Sequence, residues 1–129
     1  MAILRSHAIL KANPDAVWQV IRDVPGISSW FPAIIESSGN QAHRKVVLEG
    51  GIVIEEDIVT LDDEVRRLQY RGAGGDLPIE SHLGTIDVIE IDSLTTLLVY
   101  TTEVKPDDLA AAYGPAVEGG VEALREKFK

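Results

Sequence analysis

The chain has 129 residues, 45% of them hydrophobic, which suits one domain with one buried core. Its formal net charge of −9 argues against a nucleic-acid partner, because phosphates would be repelled, and reads as a device for solubility. No apolar run reaches the ~18 residues that a membrane span needs, and the absence of cysteine excludes disulfides, thiolate metal sites and a cysteine nucleophile.

Met1 to Leu10 carries charges and no apolar run of signal length, so a cytoplasmic location is expected. Ala2 to Leu10 reads as a first strand. Asn13 is a suitable N-cap and Pro14 suits the first helical position, so Val17, Trp18, Val20 and Ile21 belong to a helix of about ten residues. Val24-Pro25-Gly26 stops it. Ile27 to Phe31 reads as a second short helix, closed by Pro32, with one of the adjacent aromatics Trp30 and Phe31 in the core and the other at a pocket. The period then changes to two. Strands are predicted at Ile34 to Ser38, His43 to Glu49, Ile52 to Leu61, Val65 to Gly72, Glu80 to Ile91 and Leu94 to Val104, with Ala73 to Pro78 as a loop. Leu94 to Val104 is apolar on both faces, so its inward side is ambiguous.

Pro106 to Lys129 closes the chain as an amphipathic helix of about 22 residues. Asp107 and Asp108 open it, and Leu109, Tyr113, Ala116, Val117, Val121, Leu124 and Phe128 form its apolar stripe. The middle of that stripe is small: Ala110 to Ala112, Gly114, Ala116, Gly119 and Gly120 carry almost no side chain. Small residues there mean either close packing on a sheet or a helix that roofs a cavity. An antiparallel meander needs one face covered, and only one long helix is available. The fold class is therefore α+β: a bent sheet of about seven strands gripping the C-terminal helix, one domain over residues 1–129, with an interior pocket between them.

Several motifs carry a family resemblance in order and spacing. They are Asn13-Pro14-Asp15-Ala16-Val17-Trp18, Ile27 with Trp30-Phe31-Pro32, Gly51 followed by Glu56 and Asp62, Tyr70, the Leu77-Pro78-Ile79 loop and the terminal helix. With them the chain resembles the START-like helix-grip superfamily, known as SRPBCC or polyketide cyclase/dehydrase and lipid transport, and within it small bacterial cyclase-like proteins. The resemblance covers nearly the whole chain. Asp57 stands where such proteins usually show Arg, and His82 where they often carry Tyr.

Glu56 is the sharpest chemical candidate. Alternation puts it on one face with Ile52, Ile54, Ile58 and Thr60, where a carboxylate is costly unless paired or protonated. One reading is a charge satisfied by a neighbouring backbone group or Arg; the other is a pocket carboxylate that orients a ligand or acts as acid or base. His82 follows the Leu77-Pro78-Ile79 loop, and Tyr70 shares a face with Leu68 and wants a partner if buried. Glu56, Tyr70 and His82 together make a catalytic candidate set. Trp30, Phe31, Ile54, Ile58, Leu77, Pro78, Tyr100, Tyr113 and Val117 are candidate ligand contacts. Three histidines on separate strands offer no metal-ligand spacing, Gly72-Ala73-Gly74-Gly75 lacks the Lys-Ser/Thr of a phosphate loop, and no Gly-x-Ser-x-Gly elbow is present, so no metal or cofactor is expected.

Two functions follow. One is a carrier or sensor for a small hydrophobic or aromatic ligand. The alternative is a cyclase or dehydratase for a polyketide-like or aromatic precursor, with Glu56 and His82 as acid and base and Tyr70 orienting the substrate. Either is compatible with a monomer or a homodimer.

Overall fold

Strand β1 (Ala2–Leu10) opens the chain in a computed structural model that describes residues Met1–Lys129. Helix α1 (Pro14–Arg22) begins as the residues dictate. The Asn13 side chain accepts a bond from the Asp15 N–H at 2.8 Å, and Pro14 takes the first turn, where its missing N–H costs nothing. Val17, Trp18 and Ile21 recur on one side and are buried. The Trp18 Nε1–H and the Arg22 guanidinium both donate to Asp63, each at 2.8 Å, which ties α1 to the turn that contains Asp63. The second short helix is not an α-helix. Val24–Ser29 forms a 3-10 helix, with Pro25 in its first turn. Ser37 holds it in place: its hydroxyl accepts from the Ser28 N–H and donates to the Pro25 carbonyl at 2.7 Å.

The strands are β2 (Ile34–Gly39), β3 (His43–Leu48), β4 (Val53–Asp62), β5 (Arg67–Gly75), β6 (Ser81–Asp92) and β7 (Thr95–Lys105). With β1 they make one seven-stranded antiparallel sheet in the order β1-β7-β6-β5-β4-β3-β2. Hairpins join β2 through β7, and β1 returns beside β7. In β7 the inward face is Thr96, Leu98, Tyr100, Thr102 and Val104, all buried. The opposite residues of β7 are half-buried, which is why both faces look apolar in sequence.

The expected loop from Ala73 to Pro78 is shorter than its composition suggests. Strand β5 continues to Gly75, and only the residues after it form the connection to β6. The ladder slips there: Glu55 pairs with Gly74 but Glu56 with Gly72, leaving Ala73 as a bulge. Gly75 has φ +114° and lies so close to β4 that a Cβ would stand 2.3 Å from the Val53 carbonyl oxygen. Glycine there is what lets the strand continue. A second slip between Ile58 and Thr60 bends β4 again. The two irregularities curl the sheet into a half-barrel.

A 3-10 turn (Asp107–Leu109) precedes α2 (Ala110–Lys127), so the last helix is α-helical over 18 residues rather than the expected ~22. Val117, Gly120, Val121 and Leu124 are its buried stripe. Its start is held by the Met1 amino group on Asp107 at 2.7 Å, and its end by the Lys11 N–H on the Phe128 carbonyl at 3.0 Å. Pro115 lies inside it and has no N–H to give the carbonyl four residues back. The 20-residue core runs from α1 and the 3-10 helix through the sheet to this stripe.

Candidate ligand cavity

The small residues of α2 divide into two kinds. At Gly120 the helix closes on the aromatic pair, and a Cβ would meet Phe31 Cε2 at 2.9 Å. One and two turns earlier, Ala116 and Ala112 leave space. Between them and the sheet lies a cavity of about 270 Å³ lined by 17 residues, 15 of them hydrophobic, so its walls suit an apolar occupant. Ile27, Phe31, Ala33 and Ile34 form one wall, Val46, Leu48 and Ile54 another, and Ala112, Tyr113, Ala116 and Val117 the roof. Glu49, Ile52, Leu77 and Ala112 are at least partly exposed and mark the mouth. The buried Glu56, Tyr70 and Tyr100 mark the floor.

The floor is a linked polar group. Arg44, 1% exposed, donates from Nε to Glu56 Oε1 at 2.7 Å and from Nη1 to the Val24 carbonyl at 3.1 Å. Its guanidinium lies 4.6 Å over the Tyr70 ring. The pairing follows from register, since Arg44 on β3 faces Glu56 on β4. Burial pushes the Glu56 carboxyl above its ordinary value, while Arg44 pulls it back. The Tyr70 and Tyr100 hydroxyls bond to each other, and burial raises both pKa values. Gly84 makes this possible: a Cβ there would stand 2.5 Å from Tyr70 Cζ, so only glycine lets the Tyr70 ring lie across β6. Burial, and then the Glu56 charge, push the Tyr113 hydroxyl up as well, and no protein group bonds to it.

Phe31, Ile54, Glu56, Leu77, Tyr70, Tyr100, Tyr113 and Val117 thus come together around one space. Four other candidates stand outside the lining. Trp30 packs edge-on behind Phe31 with ring centres 5.4 Å apart. Ile58, two residues beyond Glu56 on β4, is half-buried and packs against the core. Pro78 is exposed while its neighbour Leu77 points inward. His82 is buried beside the cluster, stacked on Tyr113 at 5.0 Å, with Nδ1 accepting from the Gly72 N–H at 2.9 Å. That bond leaves the proton of the neutral ring on Nε2, which is buried without a partner. Burial, helped by Arg44 and Arg71, pulls the His82 pKa down to about 4. Sequence reasoning missed Arg44 and Gly84. Arg44 alternates with Val46 and Leu48, and Gly84 interrupts an apolar strand; both signals were present.

The model of the family described as polyketide cyclase/dehydrase and lipid transport matches residues 1–129. The chain belongs to that family. No curated protein matches it. Among solved structures it is similar to the protein XoxI from Bacillus cereus, with TM-score 0.91 and 24% identity over 99% of this chain and 96% of that one. A START superfamily protein from Mycobacterium smegmatis gives TM-score 0.82 and 14% identity over 98% and 96% of the two chains. The Zhui aromatase/cyclase from Streptomyces sp. R1128 gives 0.77 and 19% over 98% and 92%. At these identities the likeness is one of fold, and it identifies the curled sheet and terminal helix as the helix-grip fold. No helix is long and apolar enough to cross a membrane.

Proposed function

We propose that this protein binds one small hydrophobic molecule in the cavity beneath α2, as a carrier or sensor. The observation that carries this reading is the combination of an apolar space of about 270 Å³ with buried polar groups gathered at its closed end. Such a site buries an apolar body and fixes its orientation with a few polar contacts. Phe31, Ile54, Leu77 and Val117 supply surface; Glu56, Tyr100 and Tyr113 supply direction.

The acid–base alternative has less support. His82 does not line the space, its Nδ1 is occupied, and a pKa of about 4 is far from that of an efficient base at neutral pH. Glu56 is engaged by Arg44. Titration with naphthalene, followed by the methyl NMR shifts of Ile54 and Val117, tests the binding reading. Saturable shifts are expected in the wild type, and their loss in Ala116→Phe, which fills the space. A wild type whose methyls do not respond overturns it. Turnover of a precursor that disappears in Glu56→Gln, with naphthalene binding retained, would favour the enzyme.

A further inference from the structure

We propose that the cavity selects a ligand of about two rings' bulk carrying an uncharged hydroxyl, which enters first and sits between Glu56 and Tyr113. This rests on the reading that the cavity holds a ligand. The argument is a count of free bonding positions at the floor. Glu56 Oε1 takes the Arg44 bond, and no protein donor reaches Oε2. The Tyr70 and Tyr100 hydroxyls bond to each other, which uses one of their two protons. The Tyr113 hydroxyl, on the opposite wall, is buried and has no partner. Among the lining groups there remain one carboxylate acceptor, the Tyr113 O–H and the second proton of the Tyr70–Tyr100 pair. A ligand hydroxyl fits this set, donating to Oε2 and accepting from Tyr113.

A carboxylate head fits neither charge nor geometry. It would bring a second negative charge against Glu56 in a dry site. Arg44 does not line the cavity and its charge is already paired with Glu56: Nε bonds to Glu56 and Nη1 to the Val24 carbonyl, while Nη2 is buried without a partner. A bare hydrocarbon fits the walls but leaves Oε2 and the Tyr113 hydroxyl without partners, which costs affinity. The size limit comes from volume. A cavity of about 150 Å³ takes benzene, so 270 Å³ admits a bicyclic body or a chain of similar bulk.

Three matched probes test this at neutral pH by calorimetric or NMR titration: 2-naphthol, naphthalene and 2-naphthoate. We expect 2-naphthol to bind about tenfold or more tightly than naphthalene, the gain typical of a hydrogen bond to a charged group. We expect 2-naphthoate to bind no better than naphthalene. Tyr113→Phe should lower 2-naphthol affinity several-fold without weakening naphthalene, so that the gap between the two probes narrows. Equal binding of 2-naphthol and naphthalene, or tightest binding by 2-naphthoate, overturns the hydroxyl assignment and leaves the cavity reading standing. Failure of all three probes overturns both. The ligand series needs only the wild type, so it decides the matter even if a floor variant does not fold.

Discussion

Arg44 and Glu56 form an ion pair with side chains 1% and 6% exposed, and such pairs are far more costly to break than to replace. Arg44→Met strands a carboxylate in the dry floor and should destabilise the protein by roughly 3–5 kcal/mol in urea unfolding. The double variant Arg44→Met/Glu56→Leu should recover most of that loss, because no charge is left unpaired. His82 gives a second expectation. Its folded pKa of about 4 lies below its ordinary 6.5, so the folded state disfavours the charged ring. Its contribution is complete above pH 6.5 and is lost as pH falls toward about 4. The loss is on the order of 3 kcal/mol. Unfolding free energies across that window should fall with pH in the wild type, and fall less steeply in His82→Gln. At this scale alternation was informative: it put Glu56, Ile54 and Tyr70 inward. It did not reveal Arg44 as the partner, because that depends on which residues of β3 and β4 stand opposite, and register is a property of two strands together.

The elements show where local pattern suffices and where it fails. The cap of α1 and the small stripe of α2 were visible because each is set by neighbours one to four residues away. The length of β5 was not. Its run of glycines has the composition of a loop, yet the bulge at Ala73 and the close approach at Gly75 use those same glycines to keep the strand paired. The cavity thus owes its curvature to residues that look like an interruption. Within α2 the two central glycines should behave oppositely. A Cβ added at Gly119 would meet nothing within 4 Å, so Gly119→Ala should stabilise the protein by up to about 1 kcal/mol through helix propensity. Gly120→Ala drives a methyl against the Phe31 ring and should cost about 1–3 kcal/mol. Thermal melts of the two variants separate these outcomes.

For the molecule as a whole, a filled cavity and an empty one are different thermodynamic objects. A ligand at about 100 times its dissociation constant adds about 2.7 kcal/mol to the folded state. The melting temperature should therefore climb with 2-naphthol concentration in the wild type and stay flat in Ala116→Phe, as differential scanning calorimetry would show. The broad architecture was legible, since seven strands, two short helices and one long helix leave few ways to cover a sheet. The volume was not, because 270 Å³ is what remains after every side chain is placed. Pro115 adds a final consequence. Beyond it, α2 is buried against the sheet through Val117, Val121 and Leu124; before it lie the exposed Ala111 and Ala112. The missing hydrogen bond at that junction divides the roof into an anchored half and one whose order depends on what lies beneath it. Amide exchange in residues 110–114 then becomes a gauge of occupancy: faster while the chamber is vacant, slowed once an occupant lies beneath Ala112.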